Sequence, residues 1–182
     1  MTSPADAAVP QELRALLAQV TVLVVTYNSS HCVAALAKGL RELAHVIVVD
    51  NASQDDTCAA VQTHLPAATL LRLPANRGYG VANNEGLARV RTPYALLLNP
   101  DCVITPAAVA ELVAAARTWE QATLLVPQLV DGAGHPQINY SWPRHAWRPR
   151  SGAAEGPLNV GYACAAVMLV NLSRLRTALG DG

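Results

Sequence analysis

The sequence predicts an α/β domain built on a mostly parallel sheet flanked by helices, and three observations carry that expectation. Strand-like and helix-like segments alternate from residue 20 onward with short polar joints, the pattern of parallel strands linked by right-handed crossovers. Two apolar runs stop abruptly at acid: Val46, Ile47, Val48 and Val49 lead into Asp50 and Asn51, and Tyr94 to Leu98 leads into Asn99, Pro100 and Asp101. Uninterrupted runs of this kind are strands buried on both faces, and ligands of open α/β sheets bind beyond the carboxyl ends of such strands. Finally, 182 residues with 52% apolar and 14% charged side chains suffice for a sizeable core within one domain.

The elements follow in order. Residues 1–19 read as a Pro- and Ala-containing leader with a short amphipathic helix over 11–19, and the domain proper spans 20–182. The β-branched run 20–26 is the first strand, interrupted by Tyr27-Asn28-Ser29-Ser30. Ser29 or Ser30 caps a helix reaching Leu43, because Val33, Leu36, Leu40 and Leu43 share one helical face. After the strand 46–49, residues 51–57 form a turn and helix start, with Ser53 as cap and Asp55 and Asp56 favourably placed near the positive helix end. A third strand covers 69–73, and a loop through Gly78 and Gly80 leads to a helix over 81–90. The strand 94–98 follows, then a helix opened by Thr105-Pro106 and running to 117, where proline suits the first turn. Residues 124–130 read as a strand. Gly and Pro punctuate 131–158, which predicts a long mobile connection, followed by a buried strand over 160–170 and a helix over 172–179 that ends at Gly180.

Composition excludes several functions. The formal charge is zero, so no global field draws the chain to nucleic acid. Cys32, Cys58, Cys102 and Cys164 form no C-x-x-C pair and no secretory framework, which predicts free thiols in a reducing, cytoplasmic setting. The first nineteen residues lack the features of a signal peptide, and the apolar stretch 160–170 is well short of the roughly twenty residues that span a bilayer. His31, His45, His64, His135 and His145 show no metal-ligand spacing.

Four strings at matching spacing carry a resemblance: VTVLVVTYNS at 20–29, VVDNASQDDT at 48–57, NRGYGVANNEG at 76–86 and LLLNPD at 96–101. Together they resemble the family 2 inverting glycosyltransferases of the GT-A (Rossmann-like) fold, most closely the rhamnosyltransferase-like members. The resemblance implies a nucleotide-diphospho-sugar transferase of polysaccharide biosynthesis. A sugar such as rhamnose would pass with inversion from a dTDP or UDP donor to a glycan or lipid-linked acceptor. It also implies a divalent cation, Mg²⁺ or Mn²⁺, which neutralises the leaving diphosphate, and a cytoplasmic protein able to touch the inner face of the membrane.

By the same resemblance Asp101 is the metal ligand, with Asn99 standing where the Asp-x-Asp motif has its first acid. Asp50 pairs with the imide of uracil or thymine, and Thr26, Tyr27, Asn28 and Asn51 line the nucleotide pocket. Arg77 and Gly78 approach the diphosphate, and Asn84 lies near the donor sugar. Taken alone, Asp50 also reads as a helix or turn cap, and the Arg77–Gly78 string as an ordinary loop. Trp142 and Trp147 flank Arg144, His145, Arg148 and Arg150, a group suited to sugar stacking or a lipid diphosphate and equally to a solvated loop.

The match stops short of the family's acceptor-side acidic motif, so no catalytic base is assigned in this chain, with Glu155 and Asp131 as substitutes off the expected place. Ala165 stands where the family has glycine, and Asn171-Leu172 where it has two basic residues. The sequence thus reads as a donor half lacking most of an acceptor half. The alternative function is a non-catalytic nucleotide-sugar-binding module or an inactive fragment. A sugar nucleotidyltransferase would need a Gly-rich basic loop directly after the first strand, and Thr26-Tyr27-Asn28-Ser29 is not one.

Overall fold

The computed structural model describes residues 10–141 and 156–180. β1 (Val20–Thr26) is buried along its whole length, so it can only be a central strand. It pairs in parallel with β2 (Val46–Asp50) on one side and β4 (Tyr94–Leu98) on the other. β3 (Thr69–Arg72) extends the β2 edge in parallel, while β8 (Val167–Asn171) joins β4 antiparallel and β5 (Leu124–Leu125) joins β8. The six-stranded order is therefore β3-β2-β1-β4-β8-β5, mostly parallel as expected.

Alternate residues of the central strands feed two cores. Val22, Val24, Val48, Leu96 and Leu98 pack beneath α1 (Gln11–Leu17), α2 (Ser30–Leu40), α3 (Thr57–His64) and α5 (Pro106–Thr118). Leu23, Val25, Ile47, Val49 and Ala95 pack beneath α4 (Tyr79–Leu87) and α6 (Leu172–Leu179). Each fully buried Val or Leu contributes about 1.5–3 kcal/mol of transfer free energy, so a strand buried on both faces is held far more firmly than the loops at its ends.

Several boundaries differ from the sequence expectation. α2 ends at Leu40, and the chain closes a tighter turn in which Leu43 N–H donates to Leu40 O at 3.1 Å, keeping Leu43 buried outside the helix. Ser53 does not cap α3. Its hydroxyl accepts from Asn28 N–H at 2.9 Å, and the Asp55 carboxylate instead takes the Thr57 N–H and hydroxyl at the helix start. α4 begins two residues early because Gly78, at φ 85°, turns the chain directly into it.

β5 stops after two residues, short of Pro127, which has no N–H to continue a ladder. The expected strand 160–170 is two elements. Tyr162–Ala163 is β7, paired antiparallel with β6 (Tyr140–Ser141), and the chain then crosses through Ala165 and Ala166 into β8. The first part of the expected mobile connection is also structured. Asp131 accepts from Ala133 N–H at 2.8 Å and His135 N–H at 2.9 Å, and β6 follows; residues 142–155 lie outside the described residues. Gly180 ends α6 in the left-handed conformation, at φ 83°, as the sequence indicates.

All four cysteines are free. Among the described residues no helix is long and apolar enough to cross a membrane.

Close packing of α2 on the segment that follows Asp101 depends on Gly39. A Cβ there would lie 2.0 Å from the Ile104 carbonyl oxygen, a backbone atom that cannot rotate away. Gly39→Ala is expected to destabilise the fold by about 1–3 kcal/mol, read as a lowered urea midpoint.

Candidate functional site

The chain leaves β1 toward β2 and β3 on one side and later returns to place β4 on the other. The strand order reverses between β1 and β4, and such a reversal opens a crevice beyond the carboxyl ends of the strands. A cleft of about 450 Å³ lies there. Its walls are Tyr27, Asn28, Ser29, His31 and Cys32 after β1, Asn51 after β2, Asn76 and Tyr79 after β3, and Asn99, Pro100 and Asp101 after β4. A larger hollow of about 720 Å³ lies at the opposite end, against Leu16, Tyr94 and Arg174, where no strand delivers a carboxylate.

Behind the cleft, side chains satisfy backbone groups that no ladder reaches. Asp50 is 3% exposed and does not line the cleft. Its Oδ1 accepts from the Thr26 hydroxyl at 3.3 Å and its Oδ2 from Ser53 N–H at 3.0 Å, so the turn-capping role is present in the structure. Thr26, fully buried, supports Asp50 from the neighbouring strand, as their register dictates. Asn28 sits at φ 50°, a left-handed conformation that asparagine tolerates, and its Oδ1 accepts from Gln54 N–H at 2.8 Å. Asp55 joins the starts of two helices by accepting from Ser30 N–H at 3.2 Å and from Thr57. The Thr57 hydroxyl, with the Ser30 and Thr57 N–H groups, holds the Asp55 carboxyl well below the usual carboxylate range.

The opposite wall carries Asp101. Its carboxylate is exposed, and among the described residues its one hydrogen-bond contact is a weak one from the Cys102 thiol at 3.8 Å. Burial, then the neighbouring Asp101 charge, pushes the Cys102 thiol up to about 11. Tyr79 closes the cleft beside it: its hydroxyl donates to Ala165 O at 3.3 Å, and Asn99 N–H donates to Ala166 O at 2.8 Å. The β7–β8 crossing thus ties both loops. Among the described residues, no group of three or more His, Cys, Asp or Glu side chains could hold a metal.

The remaining expected residues divide. Tyr27, Asn28, Asn51, Asn99 and Asp101 meet in the cleft. Arg77 and Gly78 do not line it but lie in the chain between two residues that do, Asn76 and Tyr79; Arg77 is exposed and 3.7 Å from Glu85 in an ion pair worth little in solvent. Asn84 is exposed and does not line the cleft, whereas Asn83 is buried, its Nδ2 donating to Tyr79 O and its Oδ1 without a hydrogen-bond partner among the described residues. His31, Cys32, Ser29, Asn76 and Tyr79 were not singled out as site residues from sequence. The signal for them was present, since each lies within a few residues of a strand end. Trp142, Arg144, His145, Trp147, Arg148, Arg150 and Glu155 fall outside the described residues.

A mostly parallel sheet with a polar, acid-bearing cleft at its topological switch point defines a ligand-binding α/β protein of the doubly wound class. The model of glycosyl transferase family 2 matches residues 21–174, and the chain belongs to that family. The N-acetylglucosaminyl-diphospho-decaprenol L-rhamnosyltransferase of Mycobacterium tuberculosis (strain ATCC 25618 / H37Rv) is 26% identical over 189 residues, covering 84% of this chain and 61% of that protein. The chain therefore spans about three fifths of the length of the curated relative it matches. The mannosyltransferase PcManGT from Pyrobaculum calidifontis, solved with GDP-Man and Mn²⁺, superposes with a TM-score of 0.61 at 19% identity, over 89% of this chain and 46% of that one. Glucosyl-3-phosphoglycerate synthase from Mycobacterium tuberculosis, solved with Mn²⁺, UDP and glucosyl-3-phosphoglycerate, gives 0.54 at 21%, over 66% and 48%. These likenesses establish the GT-A fold.

The Asp55 contacts set a pH dependence. Its carboxyl titrates lower folded than in an ordinary carboxyl at 3.8, so its stabilisation is fully present above that value and is lost as pH falls through the folded one. The thermal midpoint difference between wild type and Asp55→Asn, followed by calorimetry, is expected to be constant from about pH 5 to 8 and to shrink below about pH 4.

Proposed function

We propose that residues 20–182, preceded by the leader 1–19, form a GT-A domain that binds a dTDP- or UDP-sugar in the switch-point cleft. The domain passes a sugar such as rhamnose, with inversion, to a glycan or lipid-linked acceptor. One observation carries this reading: the exposed Asp101 carboxylate faces, across one cleft, the polar loops that follow β1, β2 and β3. Support comes from the relative, whose name states a rhamnosyl transfer to a diphospho-decaprenol acceptor, and from neighbours solved with Mn²⁺ and nucleotide.

The residues fit a divalent cation of the oxygen-loving kind. Mg²⁺ or Mn²⁺ is held by one or two carboxylates together with substrate phosphates, so a single exposed Asp101 assisted by Asn99 suffices without a preformed cage. When bound, such a cation neutralises charge on the departing diphosphate. Asn99 holds the donor ribose or a cation-bound water. Tyr27 offers an exposed ring beside the base, and Asp50, buried behind the cleft and bonded to Thr26 and Ser53, keeps lone pairs for an imide N–H that reaches it once the loops over it part. Arg77, whose partner Glu85 is a weak surface contact, turns to the diphosphate. Asn84, exposed and outside the cleft lining, reaches a donor sugar that extends beyond the cleft.

Inversion is a single displacement that requires a base for the acceptor hydroxyl. Asp131 is engaged by three groups of its own turn, Ala133, Gly134 and His135, and its carboxyl is held below the usual range by the His135 and Ala133 N–H groups, so it is a poor proton acceptor. A lipid-linked acceptor would be met from the cytoplasmic side, at the inner face of the membrane.

Calorimetry with Mn²⁺ is expected to show binding of UDP or dTDP, and Asp101→Ala to weaken it at least about tenfold, or about 1.4 kcal/mol. Equal affinity in the variant would remove the proposed cation ligand.

A further inference from the structure

Asn51 was expected to touch the donor, yet both ends of its amide are used inside the protein. The side chain is 3% exposed; its Oδ1 accepts from Arg77 N–H at 3.0 Å and its Nδ2 donates to Asn76 Oδ1 at 2.9 Å. Asn76 Oδ1 also accepts from Gly78 N–H at 3.0 Å. Backbone N–H groups can only donate, so Arg77 and Gly78 fix which way each amide faces, and the two orientations agree with the bond between them.

The segment they hold has little else to hold it. Asn76, Arg77 and Gly78 are all exposed, and the Arg77 and Gly78 N–H groups bond to these side chains rather than to backbone. Gly78 has no neighbour within 4 Å of a Cβ position and adopts φ 85°. Such a segment would otherwise sample many conformations, and fixing it before a ligand arrives removes that ordering cost from binding.

We infer that Asn51 and Asn76 are positioning residues, a two-amide latch that holds Arg77 and Gly78 in the conformation that receives the donor diphosphate. The ligand part of this inference rests on the function proposed above; the latch itself does not. Asn51 is the buried anchor after β2, and Asn76 is the exposed relay, with one oxygen serving two donors. Both amides line the cleft, and the latch acts through the backbone N–H groups of Arg77 and Gly78 that it holds.

Two measurements test it. By amide exchange read with NMR on the ligand-free protein, Asn76→Ala is expected to speed exchange at Gly78 at least tenfold, whereas Asn76→Asp, which keeps an acceptor oxygen, retains near wild-type protection. By calorimetry with Mn²⁺, Asn76→Ala is expected to weaken UDP about tenfold and UMP no more than twofold, with the thermal midpoint held within a few degrees. A merely structural role would lower both nucleotides alike. Unchanged exchange at Gly78 in Asn76→Ala, or equal losses for UDP and UMP, overturns the inference. A wild-type protein that binds neither nucleotide sinks the proposed function and the diphosphate role, while the exchange result still decides whether the latch exists.

Discussion

Everything at the cleft depends on β1 being buried on both faces and both edges. A strand with no exposed residue must have neighbours on each side, and the parallel register with β2 and β4 brings three carboxyl ends to one rim of the sheet. Thr26 opposite Asp50 follows from that register, as does the position of Asn99 immediately beyond Leu98. The apolar cores above and below supply the free energy, and the rim can then be polar, irregular and locally strained without loss of the fold.

At that rim the backbone has run out of ladder partners, and short polar side chains take over. Asn28, Asp55, Ser53 and Asn51 each accept from a backbone N–H of a different loop, while Asp50 and Asn76 accept within their own, so the loops after β1, β2 and β3 are stitched to one another. The loop after β4 is anchored differently, through Asn99 to Ala166 of the antiparallel β8 approach. The consequence is a division of labour. The side built by the loops after β1, β2 and β3 is internally bonded, whereas among the described residues the Asp101 carboxylate has one weak contact of its own, as suits a group that completes its coordination with a ligand.

Residue types and spacing announced the strands well because a doubly buried parallel strand leaves an uninterrupted apolar run. They were less informative about what each polar residue does. Ser53 looked like a cap and serves Asn28; Asp50 looked like a ligand and also caps Ser53; Asn84 was favoured over Asn83, yet the buried amide is Asn83. Cap, ligand and latch draw on the same residues, since Ser, Asn and Asp bond whichever donor the fold brings near. The break between β7 and β8 was invisible for a related reason: Ala163 to Val167 is apolar throughout, and only pairing with β6 on one side and β4 on the other divides it.

The order of strands and helices, the two acid-ended runs and the family were set by local pattern, because burial on a period of two or 3.6 is written into the chain itself. Which side chains meet was decided by tertiary structure alone. Asn51 and Arg77 are 26 residues apart, as are Asn28 and Gln54, and Tyr79 and Ala165 are 86 apart. Contacts over such separations depend on strand register and loop path, and a polar side chain takes its role from the donor or acceptor that the completed sheet places within three ångströms of it.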